Sequence, residues 1–168
     1  MHIRSEERGD RGRVRAVNED AFETVVEADI VDALREKSGS LISLVAEAEG
    51  EIVGHILFSP VSLANQPAVS LMGLGPMAVL PAYQRRGIGS ALVRRGLEMC
   101  RDRGCAGVVV LGHARFYPRF GFVPASRYAI SSDYDVPDDV FLVAELRPGS
   151  LEGVSGRVSY DNVFASAS

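Results

Sequence analysis

Two arginines run directly into two spaced glycines in Gln84-Arg85-Arg86-Gly87-Ile88-Gly89-Ser90. Glycine leaves the backbone bare, so amide groups there can approach a ligand closely. If a helix opens at this point, its first amides have no partner inside the helix. Together with the positive end of the helix dipole they attract an anion. Arg85 and Arg86 add two full charges beside them. A pyrophosphate suits this arrangement, with its oxygens on N–H groups and guanidinium groups at its rim. A Walker loop would need Gly-Lys-Ser/Thr four residues after a glycine, and that is absent. A dinucleotide fingerprint would need Gly or Ala where Leu92 stands, and an acid roughly twenty positions on, where Gly107 to Val110 is apolar.

The elements that must position this run can be read on either side of it. Leu71 to Leu80 is an apolar run that reads as a buried strand ending at Pro81. Gly73, Gly75 and Pro76 inside it predict a bulge or splay. From Gly87 to Arg103, projection at ~100° per residue puts Ile88, Leu92, Val93, Gly96, Leu97 and Cys100 on one half of a helix. Arg94, Arg95, Glu98 and Arg101 fall on the other half, and Gly104 suits the C-terminal cap. Cys105 to Leu111 reads as a second buried strand. Strand, helix and strand in this order imply a right-handed parallel crossover, and divergence of the two strands would open a slot for a cofactor.

Upstream, His2 to Arg4 reads as a strand. Gly9 to Phe22 and Thr24 to Lys37 read as helices, with Val14, Val17 and Ala21 on the first and Ile30, Val31 and Leu34 on the second. Ser38-Gly39-Ser40 is the expected stop. Leu41 to Glu47 and Glu51 to Ser59 form a predicted hairpin about Glu49-Gly50, and Pro60 to Pro67 reads as a loop or an irregular strand connection. Downstream, Gly121 to Pro124 reads as a strand, Ala125 to Asp139 as an irregular substrate loop, and Val140 to Leu146 as the last strand. Residues 1–150 are expected to form a single domain. Residues 151–168 are a Gly/Ser-rich extension, docked or partly disordered, whose Val158, Tyr160, Val163 and Phe164 could pack on the domain or on a second copy in a homodimer. The final Ala-Ser-Ala-Ser is expected to fray.

Val79-x-Pro81 followed by Gln84-x-x-Gly87-x-Gly89 resembles the acyl-CoA-binding motif of the GCN5-related N-acetyltransferase (GNAT) family. Phe116-Tyr117 followed by Phe120-Gly121-Phe122 resembles that family's Tyr-x-x-x-Gly-Phe element. The resemblance extends from Leu41 to Leu146. It implies an α/β fold: a mixed central sheet with splayed parallel strands and helices on both faces. It also implies an N-acetyltransferase that takes acetyl-CoA as cosubstrate, uses no metal, and acetylates an amine on a small molecule or peptide; a cytoplasmic location is the default expectation where no apolar run reads as a membrane span or signal-peptide core. In that family's pattern, Met77 and Val79 bond the pantetheine arm. Gln84, Arg85, Arg86, Gly87, Ile88, Gly89 and Ser90 hold the diphosphate. Tyr117 lies near the thioester sulfur as general acid, and the Val79 N–H stabilises the tetrahedral intermediate.

The chain departs from the family pattern in two places. No asparagine lies near Leu111 to Ala114, where His113 stands instead, and Pro118 shortens the helix that Tyr117 opens. No acid occurs in Leu71 to Leu80, so the general base stays open among Glu27, Asp29, His55, Asp135 and water. His55 reads first as a partly buried strand histidine and only second as a base. Glu19, Asp20, Glu23, Glu27 and Asp29 form either a solvated surface or a wall that attracts a cationic amine. The competing function is a GNAT-like protein that binds or senses acyl-CoA without catalysis.

Composition narrows the classes. The 168 residues suffice for a real core, and 46% hydrophobic with 24% charged residues is an ordinary globular balance. A net charge of −4 disfavours general nucleic-acid affinity. No apolar run reaches the length of a membrane span. Cys100 and Cys105, the only cysteines, read as buried reduced thiols.

Overall fold

The computed structural model describes residues 1–37, 40–161 and 164. Contacts divide the chain into two units. One holds Met1–Ser59, Gly75–Gly96 and Asn162–Ser168, of which Phe164 is described; the other holds Pro60–Leu74 and Leu97–Asp161.

Strands β1 (His2–Ser5), β2 (Ile42–Ala48), β3 (Glu51–Leu63) and β4 (Leu71–Val79) are neighbours in that order, and β3 up to Ser59 and β4 from Gly75 belong to the first unit. β1 to β3 are mutually antiparallel. The hairpin closes where expected, with Ala48 opposite Glu51 and with Glu49 and Gly50 at φ 54° and 80°, the left-handed pair a two-residue turn requires. Alternation along β3 gives it two working faces. Gly54 lies against Ile88 and Leu92 of helix α3 (Ile88–Asp102). Gly96 of the same helix lies so close to the Phe58 ring that a side chain there would collide with it.

His55 and Leu57 point the other way, towards helices α1 (Arg11–Phe22) and α2 (Val26–Lys37). There Val14 and Val17 of α1, Ile30, Val31 and Leu34 of α2, and Val45, Ile52, Leu57 and Ala78 of the sheet form one core. Helices therefore cover both faces of β3 within this unit, and α3 is amphipathic as the projection predicts. Each such aliphatic side chain contributes roughly 1.5–3 kcal/mol by leaving water. Helix α2 starts two residues later than the pattern predicts, because the Thr24 hydroxyl accepts a hydrogen bond from the Val26 amide and caps it. Ser38 and Gly39, part of the expected stop, lie outside the described residues.

In the second unit, β4 runs parallel to β5 (Gly107–Leu111) over three pairs, Leu71↔Gly107, Met72↔Val108 and Gly73↔Val109. The ladder ends there, although β4 continues to Val79 and β5 to Leu111. The strand–helix–strand order with β4 and β5 parallel is the one the sequence predicts. In chain order, β6 (Phe122–Pro124) and β7 (Ile130–Ser132) follow, then β8 (Phe141–Glu145) and β9 (Gly156–Ser159). β5 pairs antiparallel with β8, and β8 with β6. With both parallel and antiparallel pairs and packed helices, the architecture is the mixed α/β class expected.

Three local expectations need correction. β3 does not stop at Ser59 but runs through Pro60 to Leu63. Proline is tolerated because it falls between the last pair with β2, Ile42↔Phe58, and the first pair with β9, Ser62↔Ser159, where no amide is demanded on that edge. Ala125 to Asp139 is not one irregular loop. It contains a 3₁₀ turn, Ala125–Tyr128, and then β7, with Ala125 and Ile130 buried. β8 is not the last strand, since β9 pairs parallel with β7. Leu151, Val154 and Val158 are buried in the same core as Val61, Leu71, Val109 and Val143. Val163 and residues 165–168 lie outside the described residues.

Candidate active site

The chemistry-bearing residues fall into two groups, one in each unit. The first begins where β4 ends. Ala78 is buried in the helix-facing core, while Met77 and Val79 are half-buried. The Leu80 amide donates to the Val53 carbonyl at 2.9 Å, and a short 3₁₀ turn over Pro81–Tyr83 redirects the chain. The side-chain amide of Gln84 donates to the Val79 carbonyl at 3.1 Å, tying the loop back to the strand end. Gln84 thus braces the loop, a role the motif did not reveal.

Arg85 at φ 65° and Gly87 at φ 83° both occupy the left-handed region, and these two reversals aim the chain into α3. A glycine is needed at 87 for that φ, while Arg85 carries the strain of a side chain there. The first helical bond of α3 is Ala91 N–H to Gly87 C=O, 3.0 Å. The amides of Gly87, Ile88, Gly89 and Ser90 have no hydrogen-bond partner among the described residues. Nothing stands within 4 Å of where a Gly87 side chain would be, so the space is open. Arg85 and Arg86 are exposed beside it, and the Arg86 guanidinium lies 5.1 Å over the Tyr83 ring. These residues fit a diphosphate: bare donors, positive dipole end, and two cations at the rim.

The second group surrounds Tyr117. β5 ends at Leu111, and the Gly112 amide bonds the Val140 carbonyl at 2.9 Å. The amides of Phe116 and Tyr117 both reach the His113 carbonyl, and a 3₁₀ turn follows over Tyr117–Phe120. Pro118 keeps this turn short, as expected, and Gly121 at φ 93° closes it. The Tyr117 ring packs edge-on between Phe116 (5.0 Å) and Phe122 (5.5 Å). It is buried, and its hydroxyl makes no hydrogen bond among the described residues. Burial pushes the phenol up to about 12, so it stays protonated at neutral pH. Gly112 is the residue the sequence argument passed over. A side chain there would strike the Tyr117 ring, with its β-carbon only 2.7 Å from Cδ2. A glycine directly after a buried strand was the signal available for it.

The base candidates are scattered. Glu27 accepts a hydrogen bond from the Thr24 hydroxyl at 2.9 Å. Asp29 pairs with Arg15 at 2.9 Å, and His113 and Asp135 are exposed. His55 is fully buried, with Nδ1 at 3.2 Å from Asn18 Nδ2 and Nε2 at 2.8 Å from Ser43 Oγ. Asn18 can only donate through that nitrogen, so Nε2 carries the proton and donates to Ser43. Burial, with the Arg35 charge behind it, pulls His55 down to about 3. A histidine neutral and sealed in this way is a core polar group, and the strand-histidine alternative describes it. Among the described residues, no group of three or more His, Cys, Asp or Glu could hold a metal ion, and no helix is long and apolar enough to cross a membrane.

A mixed sheet with a β4–α3–β5 crossover, bare amides at the start of α3 and a buried tyrosine after β5 define an acyltransferase class. The Acetyltransferase (GNAT) family profile matches residues 9–122, and the chain belongs to that family. It is similar to the uncharacterized N-acetyltransferase YjhQ of Escherichia coli, 40% identical over 137 residues, covering 79% of this chain and 76% of that one. Among solved structures, it resembles the GNAT family N-acetyltransferase YhbS from Escherichia coli in complex with CoA. That match has a TM-score of 0.91 and 34% identity over 98% of this chain and 91% of the other. A GNAT family acetyltransferase from Brucella melitensis in complex with acetyl-CoA matches with a TM-score of 0.80 and 38% identity, over 97% of each chain.

Proposed function

We propose that this N-acetyltransferase family member moves an acetyl group from acetyl-CoA to a primary amine by direct attack on the thioester. The observation that carries the reading is the start of α3: four amides without partners, open space over Gly87, and Arg85 and Arg86 exposed beside them. Coenzyme A offers a diphosphate, the anion this surface suits. The CoA and acetyl-CoA held by the Escherichia coli and Brucella melitensis proteins support the same ligand.

In this reading an ammonium first gives one proton to solvent or to a base. The neutral nitrogen then attacks the carbonyl carbon. The C–N bond forms, and the negative charge on oxygen is met by the Val79 N–H. Collapse restores the carbonyl, breaks the C–S bond and releases the nitrogen's second proton. The departing sulfur ends as a thiol. Tyr117 is assigned as donor to that sulfur. A complete transfer from a phenol at about 12 to a thiolate near 8.5 is uphill by on the order of 5 kcal/mol. Tyr117 therefore acts by hydrogen-bonding the developing thiolate, with the proton completed as the product leaves.

The test is thiol release from acetyl-CoA against a panel of amines, with product masses read in parallel and coenzyme binding followed by calorimetry. Amine-dependent thiol release with a matching acetylated product supports the reading. Coenzyme binding without transfer to any amine would instead favour a non-catalytic acyl-CoA sensor.

A further inference from the structure

Val79, the residue assigned to the reacting carbonyl, is flanked in the chain by Ala78 and Leu80, and both belong to the apolar cluster that α1 and α2 cover. The edge of that cluster is made of partly buried hydrophobic side chains: Ala21 and Val26 at the α1–α2 corner, Leu80 and Phe164. Phe164 is the described residue of the C-terminal segment assigned to the first unit. An aromatic ring half open to solvent is thus added to the cluster that Ala78 and Leu80 share. At the same corner, Phe22 at the end of α1 is 37% exposed and Val25 in the bend before α2 is 50% exposed, so two apolar side chains face solvent there. Asp20 and Glu23, beside them, are exposed and have no side-chain partner among the described residues, whereas Glu19 and Asp29 are held by Arg15.

Apolar surface next to unpaired carboxylates is complementary to a cation carried on an apolar body. Resting on the acyltransferase reading above, we propose that the acceptor is a primary amine on an aromatic or alkyl body, and that Phe164 is a specificity-determining wall for that body. Asp20 and Glu23 draw in the ammonium form. The amine loses its proton before attack, and the net change is amine plus acetyl-CoA to amide plus CoA thiol, with the ammonium's extra proton passing to solvent.

The experiment compares 2-phenylethylamine and hexylamine with ethylamine and glycinamide, by thiol release at saturating acetyl-CoA, for the full chain and for Phe164→Ala and Phe164→Leu. The expected wild-type order places the first two amines ahead in kcat/KM. Phe164→Ala should reduce the phenylethylamine-to-ethylamine ratio by about tenfold, mostly through KM, with Phe164→Leu restoring part of it. Calorimetric CoA affinity measured on each variant reports folding. A preference for glycinamide, or an equal loss for every amine in Phe164→Ala, overturns the proposal. So does normal CoA binding with no acetylation of either apolar amine, which leaves the coenzyme reading standing. Absence of CoA binding to the wild type removes the acyltransferase reading itself.

Discussion

No β-carbon fits on Gly112 while the Tyr117 ring holds its present place. The ring is confined on its other sides by Phe116 and Phe122, so a methyl at 112 can be accommodated only by moving the tyrosine. Tyr117→Phe is expected to lower kcat by about a hundredfold with CoA affinity unchanged, the size of effect one hydrogen-bond donor to a developing charge contributes. Gly112→Ala should reproduce much of that loss with the hydroxyl still present. Steady-state thiol release beside calorimetry checks both, and full turnover in Tyr117→Phe removes the assigned role.

The same burial predicts a pH signature. With the phenol pushed up to about 12, Tyr117 does not lose its proton below about pH 10, so any fall in kcat between pH 8 and 10 must come from another group. The kcat profile of Tyr117→Phe should then be lower but parallel to that of the wild type across this range.

The loop into α3 makes separable predictions. Gly87→Ala places a side chain at φ 83°, which costs about 1–2 kcal/mol locally and disturbs the amides next to it. CoA affinity should fall accordingly. Arg85→Ala and Arg86→Ala should each weaken CoA binding about tenfold and flatten its dependence on salt, since each removes one charge from the rim. Titrations at two ionic strengths measure this. A charge-removing variant with an unchanged salt dependence contradicts the assignment.

His55 sets an acid limit on stability. Unfolded, the imidazole binds a proton near 6.5; folded, only near 3. Between those values the unfolded chain holds more protons, so stability falls as pH drops through that window, and is unaffected by this group above it. The slope approaches ~1.4 kcal/mol per pH unit. Urea unfolding at pH 7, 5.5 and 4.5 should show the decline, and it should shrink in any folded variant lacking His55.

Gly96→Ala tests the opposite face of β3. Alanine favours a helix over glycine by about 1 kcal/mol, but the methyl collides with the Phe58 ring, and overpacking of this kind costs about 1–3 kcal/mol. The collision should win, and the urea midpoint should fall.

The motif Gln84 to Ser90 could be read from sequence because its chemistry is local: glycines at the chain reversal, arginines beside it, and an amphipathic helix behind. The helices of the first unit were likewise written in the spacing of Val14, Val17, Ile30, Val31 and Leu34. What escaped was non-local. β9 is four residues in a Gly/Ser-rich stretch, and only its partners β3 and β7, nearly a hundred and some twenty-five positions upstream, make it a strand. Pro60 suggested a break because nothing local showed that one edge of β3 changes neighbour there. Asn18 and His55 are 37 residues apart, so neither announced that the two would meet in a sealed core.

Arg35 and Glu6 are nearly sealed from solvent, with side chains 9% and 7% exposed, and they hold each other while Ser43 donates to the same carboxylate. Removing Arg35 strands the Glu6 carboxylate, at a cost of about 3–5 kcal/mol, whereas Arg35 without Glu6 still pairs with Asp32 at 2.7 Å. A survey of single substitutions will therefore score Arg35 as harder to replace than Glu6. Evolution, free to take two steps, meets a one-way path there: relatives can lose the acid first, and those that lack the arginine should lack the acid as well.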